Sequence, residues 1–475
     1  MLTLADFLEP LTGIRLEAAR LVITEGVIDS RLAIPGAVFV ALPGERTDGH
    51  QYVAQAFQNG ASLALVQQEM PEGIPVLDLR TPLTHVALAN RLAELDGPFC
   101  LLVNDSLKAL QQVARFWRKQ LHVDVIGITG SVGKSTTKEL AAEVLGQRFS
   151  TLKNKGNFNN EIGLPLTLLS LTPGHQVAVL EMGFYVPGEI DFLCQIARPR
   201  IGVITNIGTV HAERAGTQEI IAQGKSELVQ ALPPDGYAIL NYDDPLVRPM
   251  ADKTEAQVFY YGMTEEAHLW ADGVVGLGLE GIRFRLHYRD ETLHLRVPLI
   301  GRHSVQTALR AAAVGLVCGL TWQEIIEGLR SMSTQLRLIS VRSERGAMLL
   351  DDTYNASPES MLSALNLLAE ISGRKVAVLG DMLELGQYEW RGHELIGIRA
   401  AEVVDELITV GERGRMIAAA ACRAGLPAAR ITELESVEQA IDLLQDQLRA
   451  EDVVLVKGSH GMRMERIVAA LEYIA

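Results

Sequence analysis

The segment Thr129-Gly130-Ser131-Val132-Gly133-Lys134-Ser135-Thr136 is the strongest chemical signal in the sequence, because it joins an apolar, strand-like run to a helical pattern. Its glycines let the backbone wrap closely around a phosphate, and the helix N-terminus adds positive potential. We predict that the loop binds phosphate groups, with Lys134 at the terminal phosphates and Ser135 as a Mg²⁺ ligand. The strict form of this motif has glycine at position 128, where this chain has Ile128, so the loop is a variant.

Three more residues with possible chemical roles follow the phosphate loop. Glu181 ends the apolar run VAVLEM, His211 comes after IGVITNI, and Lys225 lies in QGKSEL. A carboxylate at a strand end beside a phosphate loop is a natural Mg²⁺ ligand, since hard cations prefer oxygen. Taken alone, His211 is more typical of an ordinary polar residue and Lys225 of a solvated helix charge. The sequence pattern therefore assigns neither of them a role by itself.

Two polar segments have an open interpretation. The segment GNFNNEIGLP (156–165) is either a loop that satisfies its own backbone or a site for a polar or phosphorylated second substrate. The segment DDTYNASPES (351–360) follows a strand-like run and leads into a helix. Its acidic and amide side chains either cap that helix or bind a ligand.

The elements that must position these residues form three α/β segments. The first has short apolar runs at 37–42, 62–67, 75–79 and 99–103, and we place its boundary at residue 104. A helix is predicted over 107–121. Continuous apolar strands alternating with helices then indicate a parallel sheet covered on both faces. Alternation of period two over 282–299 predicts a β-hairpin extension of this central segment.

A second alternating series begins beyond residue 333, with apolar runs at 348–352, 376–381, 406–411 and 453–458. Each run is followed by a helical pattern, which is typical of a doubly wound, Rossmann-like domain. The predicted architecture is therefore α/β with three domains, at 1–104, 105–333 and 334–475. Ligands of such sheets bind at the carboxyl ends of the strands, so the residues just after each strand matter most.

Composition narrows the class of protein. The 475 residues are 48% hydrophobic, which disfavours extensive disorder. The net charge of −15 disfavours nucleic-acid binding. Four cysteines without a CxxC pair favour a reducing compartment over a disulfide framework or a thiolate zinc site. The first twenty residues do not resemble a signal peptide, and no apolar stretch approaches about 20 residues. We expect a soluble, cytoplasmic protein with no nucleic-acid partner and no membrane span.

The sequence resembles the Mur ligase family of peptidoglycan synthesis over nearly its whole length. The motifs that carry the resemblance are, in order, TGSVGKST, NFNNEIGLPLTLL, VLEMG, TNIGTVH, GKSEL, GRHS, DDTYNASPES, LGDMLELG and VLVKGS. The segment 29–52 resembles the UDP-binding domain of these enzymes. LGDMLELG, followed by His393, and DDTYNA favour the family member that joins D-alanyl-D-alanine to UDP-N-acetylmuramoyl-tripeptide over the one that adds the third amino acid.

The resemblance implies an ATP-dependent reaction through an acyl phosphate, which the amine of D-alanyl-D-alanine attacks. It implies two Mg²⁺ ions, one held by Ser135 and Glu181 and the other by His211 and a carbamylated Lys225. Lys134, His211 and Lys225 are the implied catalytic residues. The implied ATP-binding residues are Gly130, Ser131, Val132, Gly133, Lys134, Ser135, Thr136, His303, Ser304 and Arg337. The implied substrate-binding residues are Ser30, Arg31, Asn157, Asn160, Asp352, Tyr354 and Asn355.

The chain departs from the family pattern at three positions. Ser304 and Thr307 stand where relatives have the two asparagines of GRHN…N, and Ser357 stands where they have the second asparagine of YNANP. The His-Asn pair is associated with adenine contacts, and serine and threonine retain hydroxyls that can form hydrogen bonds. The loop and metal positions are intact.

Two alternatives remain open. A sister Mur ligase or a folylpolyglutamate synthetase would lack either the UDP-binding pattern or LGDMLELG, and both are present. A non-catalytic nucleotide-binding protein on the same scaffold would be favoured by loss of Lys134, Glu181 or Lys225, and all three are retained. We expect a monomer that binds the UDP-linked tripeptide and D-alanyl-D-alanine.

Overall fold

The computed structural model describes residues 1–44, 47–209, 212–331 and 339–473, and it contains three β-sheets with helices packed around them. The strands are β1 Gly26–Val27, β2 Val38–Val40, β3 Leu63–Val66, β4 Val76–Asp78, β5 Phe99–Leu102, β6 Asp124–Thr129, β7 Thr151–Lys153, β8 Val177–Glu181, β9 Ile201–Ile204, β10 Tyr237–Asn241, β11 Gln257–Gly262, β12 Leu269–Gly276, β13 Ile282–Tyr288, β14 Glu291–Val297, β15 Ile339–Arg342, β16 Met348–Asp351, β17 Arg374–Gly380, β18 Glu406–Val410, β19 Ile431–Leu434 and β20 Asp452–Lys457. The helices are α1 Leu4–Thr12, α2 Val53–Gln58, α3 His85–Ala93, α4 Ser106–Lys119, α5 Lys134–Gly146, α6 Gly163–Leu169, α7 Glu189–Ala197, α8 Ala212–Ala215, α9 Gln218–Gln230, α10 Val305–Val317, α11 Trp322–Arg330, α12 Pro358–Glu370, α13 Glu389–Val403, α14 Gly414–Arg423, α15 Val437–Gln447 and α16 Glu465–Leu471.

The first sheet has five parallel strands in the order β1-β2-β3-β5-β4. Strands β2, β3 and β5 are buried along their whole length, as expected of a parallel sheet that is covered on both faces. The four apolar runs of the N-terminal segment therefore form strands as predicted. Helix α1, which a capping box at Thr3 begins, was not predicted.

The second sheet has nine strands in the order β14-β13-β12-β11-β10-β9-β6-β8-β7. The predicted hairpin is confirmed: β13 and β14 pair antiparallel from Ile282↔Val297 to Tyr288↔Glu291. Its period-two pattern buries Ile282, Phe284 and Leu286 on one face. Strand β12 pairs with β13, so the hairpin continues the second sheet rather than standing apart from it.

The third sheet has six strands in the order β15-β16-β20-β17-β18-β19. Within this sheet, only the β15–β16 pair is antiparallel among the strand pairs that are described. Apolar side chains from both faces of β16, β17 and β20 form two separate core clusters under the covering helices. This is the Rossmann-like arrangement that the alternating pattern predicts.

The chain forms two compact units. The first comprises Met1–Gly127, Phe149–Gly183 and Glu189–Ile201, and the second comprises Ile128–Arg148, Phe184–Gly188 and Gly202–Ala475. The phosphate loop and the third sheet belong to the second unit, while Glu181 and the asparagine-rich loop belong to the first. The domain boundaries at 104 and 333 remain predictions. Within the described ranges, no helix is both long and apolar enough to cross a bilayer.

Candidate active site

The phosphate loop leaves the carboxyl end of β6 and leads into α5, whose N-terminal cap is Gly133. Gly130 has φ 143°, a region that side chains with a β-carbon rarely occupy. A β-carbon at this position would lie 1.8 Å from Thr205 Oγ1, so the close approach of the Thr205 hydroxyl requires glycine. The glycine that the sequence analysis assigned to phosphate approach is thus also required by the packing of the loop itself.

The residues after β9 brace this loop from the side. The Val132 amide donates to Asn206 Oδ1 at 2.9 Å, and the Thr205 hydroxyl donates to the Val132 carbonyl at 2.7 Å. The Gly208 amide donates to Ser131 Oγ at 2.8 Å. From the sequence, only His211 of this segment is a candidate, and the bracing role of Thr205 and Asn206 was not predicted. The available signal was two polar residues directly after a buried strand.

Lys134 lies over the loop with its ammonium directed at backbone carbonyls. Its Nζ donates to the Gly130 carbonyl at 2.8 Å and to the Ser131 carbonyl at 3.2 Å. Ser135 is buried at the start of α5, and the Thr136 hydroxyl donates to the Gly133 carbonyl at 3.0 Å. The loop, the helix terminus and a primary ammonium therefore lie together, which is the donor set that a phosphate chain requires.

Lys225 lies on α9 and is fully buried, with 1% of its surface exposed. Its Nζ donates to the Gly130 carbonyl at 3.1 Å and lies 4.8 Å from the centroid of the Phe184 ring. The interpretation of Lys225 as a solvated helix charge is therefore wrong. Two lysines far apart in the sequence meet at one carbonyl of the phosphate loop.

Glu181 is a buried carboxylate at the end of β8, with 3% of its surface exposed. Asn159 Nδ2 donates to Glu181 Oε1 at 2.8 Å. Asn154 exchanges two hydrogen bonds with the Glu181 backbone, at 3.0 and 3.1 Å. These two asparagines orient Glu181, and the sequence analysis missed both because it had no means to pair one loop with the next strand.

The two asparagines that the sequence analysis did select have different positions. Asn160 accepts from the amides of Gly163 and Ile162 at 2.9 and 3.3 Å, which stabilises the start of α6. Asn157 is exposed, so its side chain is accessible to a ligand. The segment therefore combines the two interpretations: part of it satisfies its own backbone and part of it faces solvent.

The nucleotide-contact candidates of GRHS lie before and at the start of α10. The Ser304 hydroxyl donates to the Ile300 carbonyl at 2.6 Å, and Thr307 Oγ1 accepts from Arg310 Nη2 at 2.8 Å. His303 is exposed by surface area, and its ring lies against Gly301, where a β-carbon would be 2.6 Å from the imidazole. Desolvation of the ring, with repulsion from Arg310 and Lys457, lowers the pKa of His303 to about 4, so the ring is neutral at pH 7.

A pocket of about 500 Å³ opens next to the segment that braces the loop. It is lined by Ile207, Gln218, Asn241, Asp243, Asp244 and Leu246. Asp244 accepts from the Ile207 amide at 2.8 Å, so the strand ends of β9 and β10 are tied together at the pocket wall. Its position at strand ends is the usual ligand position of such sheets.

The DDTYNAS segment is held by a buried lysine that the sequence analysis missed. Lys457, at the end of β20, pairs with the Asp352 carboxylate at 2.8 Å and donates to the Asn355 carbonyl at 2.8 Å. Tyr354 is 44% exposed, so its ring is presented to solvent. Ser357 is the N-cap of α12 and forms a capping box with Ser360. The helix cap is thus Ser357, while Asp352 and Asn355 are bound by Lys457.

The two N-terminal candidates, Ser30 and Arg31, differ in their exposure to solvent. The Ser30 hydroxyl donates to Gln55 Oε1 at 2.9 Å and is buried, which indicates a structural role. Arg31 is largely exposed and pairs with Asp29 at 2.7 Å. This pairing lowers the pKa of the Asp29 carboxyl, and it keeps the guanidinium at the surface where an anionic ligand can reach it.

His211 and Arg337 lie outside the described residues, so their predicted roles stay predictions. In the described part of the chain, no group of three or more His, Cys, Asp or Glu side chains is arranged to hold a metal ion. His393 of the LGDMLELG region is buried; its Nε2 accepts from the Met382 amide at 3.1 Å. Burial lowers the pKa of His393, which fits a neutral ring that fixes this loop.

Comparison with known proteins gives a consistent result along the chain. Three family models match: the Mur ligase family catalytic domain at residues 23–94, the Mur ligase middle domain at 128–315, and the Mur ligase glutamate ligase domain at 336–460. A UDP-N-acetylmuramoyl-tripeptide–D-alanyl-D-alanine ligase of Bacillus subtilis is 35% identical over 448 residues, covering 93% of this chain and 92% of that protein.

Solved structures agree with this comparison. A crystal structure of MurF from Acinetobacter baumannii aligns with a TM-score of 0.80 and 31% identity, covering 98% of this chain and 97% of its own. The MurF ligase of Thermotoga maritima in complex with ADP aligns with a TM-score of 0.76 and 27% identity, covering 95% of this chain and 97% of its own. The similarity thus spans all three sheets and includes a nucleotide-bound relative.

Proposed function

The chain belongs to the Mur ligase family, and we propose that it joins D-alanyl-D-alanine to UDP-N-acetylmuramoyl-tripeptide in peptidoglycan synthesis, with conversion of ATP to ADP and phosphate. It is a ligase that forms a carbon–nitrogen bond. One observation carries the proposal: an ordered phosphate loop has two lysines, Lys134 and Lys225, at the single carbonyl of Gly130. A scaffold that had lost catalysis would have no reason to keep both ammonium groups at this carbonyl, with Lys225 fully buried.

The reaction needs activation of a carboxylate, because its oxygen is a poor leaving group at neutral pH. In the proposed sequence, a carboxylate oxygen of the tripeptide attacks the γ-phosphorus of ATP, the bond to the β-phosphate oxygen breaks, and ADP leaves. The amine of D-alanyl-D-alanine then attacks the acyl carbon, phosphate departs, and the amine loses a proton. Phosphoryl transfer depends on positioning and charge neutralisation, which a rigid phosphate loop supplies.

Lys134 is proposed to neutralise charge on the transferring phosphate. In the described structure its ammonium hydrogen-bonds the Gly130 and Ser131 carbonyls, neutral acceptors that a phosphate oxygen can replace. The loop itself is braced by Thr205 and Asn206, so it need not reorganise when the nucleotide binds. A preorganised cation and set of amides are the electrostatic contribution expected of such a site.

Mg²⁺ is proposed to be ligated by the Ser135 hydroxyl and the Glu181 carboxylate. Both fit a hard cation, since both offer oxygen, and Asn159 holds the Glu181 carboxylate in a fixed orientation. When bound, the ion neutralises charge on the β- and γ-phosphates. The magnesium requirement, a second ion and its ligand His211 belong to this proposal alone.

Lys225 is proposed to act as its carbamate, which would supply an anionic oxygen ligand for the second ion. The geometry fits, because a carbamate nitrogen keeps one N–H, and this group can retain the hydrogen bond to the Gly130 carbonyl. The carbamate would form from the neutral amine and CO₂, and Lys225 is almost fully buried. A free ammonium at this position would repel Mg²⁺.

Recognition of the substrates is proposed to involve exposed polar groups of the selected segments. Arg31 suits the UDP moiety, Asn157 suits the peptide substrate, and Tyr354 with Asn355 offers a flat face with an amide beside it. The neutral ring of His303 suits an uncharged base such as adenine. We further propose a cytoplasmic location, because the reaction consumes ATP.

Phosphate release measured with one component omitted at a time tests the proposed function. We expect release to require ATP, Mg²⁺, the UDP-linked tripeptide and D-alanyl-D-alanine together, and tripeptides ending in diaminopimelate and in lysine should be compared. Release supported by a single amino acid in place of the dipeptide would instead identify a sister ligase. Absence of release with every peptide acceptor would indicate a non-catalytic nucleotide-binding protein.

A further inference from the structure

Arg310 is a buried cation beside the phosphate loop that neither the sequence motifs nor the proposed mechanism uses. It lies on α10, with 4% of its surface exposed. Its Nε donates to Thr137 Oγ1 and its Nη2 to Thr307 Oγ1, both at 2.8 Å. The Thr137 hydroxyl in turn donates to the Gly133 carbonyl at 2.6 Å. A continuous chain of hydrogen bonds therefore links the guanidinium to the loop glycine at the start of α5.

The guanidinium also contacts the loop directly. An ideal β-carbon on Gly133 would lie 2.9 Å from Arg310 Nη2, so the guanidinium packs against the loop backbone at this glycine. Gly133 has φ 83° and is the N-cap of α5, the helix end that faces a bound phosphate. Arg310 therefore places a full positive charge next to the positive end of the α5 dipole.

The charge of Arg310 has no anionic partner in the described part of the chain. Its hydrogen-bond acceptors, Thr137 and Thr307, are neutral hydroxyls, and the centroid of the Tyr261 ring lies 5.9 Å from its Cζ. Burial raises the pKa of Tyr261 to about 12, so this phenol is uncharged at pH 7. No carboxylate of the described residues forms an ion pair with Arg310. A buried charge is costly unless an anion compensates it.

The direction of this charge is indicated by His303, the adenine-contact candidate. The Arg310 charge is one of the causes that lower the pKa of His303, so its field extends into the space where the nucleotide is proposed to lie. Arg310 thus packs against the phosphate loop at Gly133 and is close enough to the base-contact candidate to affect its pKa. The phosphate chain of the proposed nucleotide is the anion that this charge would meet.

We propose that Arg310 is a nucleotide-binding residue whose buried guanidinium contributes positive charge to the phosphate site at Gly133, with Thr307 orienting it. This inference rests on the proposed function for the nucleotide itself. It also assigns a role to Thr307, which replaces the asparagine of the family pattern: its hydroxyl orients Arg310.

Calorimetric titration of the full-length protein with ADP and Mg²⁺, at low and high salt, tests the proposal. Arg310→Met removes the charge and keeps length, Arg310→Lys keeps the charge, and Thr307→Val removes only the hydroxyl that orients Arg310. Since a charge-assisted contact is lost, Arg310→Met should weaken ADP binding roughly tenfold or more. Arg310→Lys should stay within about threefold of wild type, and the deficit of Arg310→Met should shrink as salt rises. Thr307→Val should show a smaller loss.

The possible results distinguish failure of the Arg310 proposal from failure of the proposed function. Equal loss in Arg310→Met and Arg310→Lys, a deficit that salt does not change, or ADP binding by Arg310→Met within twofold of wild type would overturn the role of the charge. Failure of the wild-type protein to bind ADP would instead count against the proposed function. If Arg310→Met does not fold, Arg310→Gln replaces it as the uncharged variant, with the same expected loss of ADP binding and the same salt dependence of that loss.

Discussion

The Nζ atom of Lys225 donates a hydrogen bond to the carbonyl oxygen of Gly130 at 3.1 Å, which ties the middle of α9 to the phosphate loop. Because Lys225 is fully buried, this contact cannot be replaced by water without cost. A carbamate nitrogen can make the same contact, since it retains one hydrogen. The Lys225 side chain can therefore both stabilise the phosphate loop and, as a carbamate, take part in the reaction. Substitutions of Lys225 can separate these two roles.

Lys225→Arg keeps a positive charge but cannot form a carbamate. We expect it to lose at least about a hundredfold in kcat, since the loss of a transition-state ligand of this kind costs roughly 3 kcal/mol. Lys225→Glu, which supplies a shorter carboxylate, should retain slightly more activity. Steady-state phosphate release measures both. Wild-type kcat in the arginine variant would show that the carbamate is unnecessary.

Lys134→Ala removes the cation over the loop. We expect kcat to fall by about a hundredfold or more with the fold intact, because charge on the transferring phosphate is no longer neutralised. Lys155→Ala is the matched control, since the Lys155 side chain is 87% exposed and its ion pair with Glu25 is long, at 3.7 Å. The control should behave like wild type. Near-normal kcat in Lys134→Ala would overturn the assignment of the loop.

Gly130→Ala should abolish nucleotide binding and destabilise the protein. The new methyl group would overlap Thr205 Oγ1 and the φ of 143° is strained for alanine, so we expect a loss of roughly 2 kcal/mol or more in unfolding free energy. The control Gly146→Ala lies at the end of α5, the helix that follows the loop, and its new methyl group would have no heavy atom within 4 Å. It should leave stability unchanged or raise it by up to about 1 kcal/mol. Chemical denaturation should therefore show a clear loss of unfolding free energy in Gly130→Ala and no loss in Gly146→Ala. Equal changes in the two variants would contradict the packing argument.

Asn159→Ala should weaken the use of Mg²⁺ without removing a ligand. Its amide orients the Glu181 carboxylate, and loss of such an orienting partner typically costs about tenfold in metal affinity. Titration of phosphate release with Mg²⁺ should show a higher half-saturating concentration and a kcat close to wild type at saturation. Asn157→Ala, on the same loop but exposed, serves as the comparison. An unchanged Mg²⁺ requirement in Asn159→Ala would remove Glu181 from the proposed ligands.

The pH dependence of stability should include a contribution from His303. Its folded pKa of about 4 lies below the ordinary value of 6.5, so between these values the unfolded chain binds the proton and the folded chain does not. Unfolding free energy therefore falls as pH drops through this window. His303→Gln should lose less stability between pH 6.5 and 4.5 than wild type, as denaturant titrations would measure. Identical pH profiles would show that the ring is not desolvated.

Local pattern was sufficient for much of the fold. The hairpin of β13 and β14, the buried strands of all three sheets and the phosphate loop follow from periodicity and glycine placement, which act over a few residues. Helix α1 and strands β1, β7, β11, β12, β15 and β19 were not predicted. These strands are short or alternate imperfectly, and pairing with neighbouring strands stabilises them, as β10 and β12 do for β11 and β18 does for β19.

Prediction of the site from the sequence was limited by contacts between distant residues. Lys134 and Ser135 lie inside a local motif, so their positions could be predicted. Lys225 was undecided because burial depends on Phe184 and on the loop, neither of which is near it in sequence. Asn159, Lys457 and Arg310 were missed for the same reason: each acts through a partner on another element.

The most direct test of the central claim is the mass of the product. Incubation of the protein with ATP, Mg²⁺, UDP-N-acetylmuramoyl-tripeptide and D-alanyl-D-alanine should yield the UDP-linked pentapeptide, with one ADP and one phosphate for each product molecule. If the tripeptide carboxylate is labelled with ¹⁸O, one labelled oxygen should appear in the phosphate, because that oxygen is the one transferred through the acyl phosphate. Hydrolysis of ATP without pentapeptide, or pentapeptide formed with unlabelled phosphate, would contradict the account.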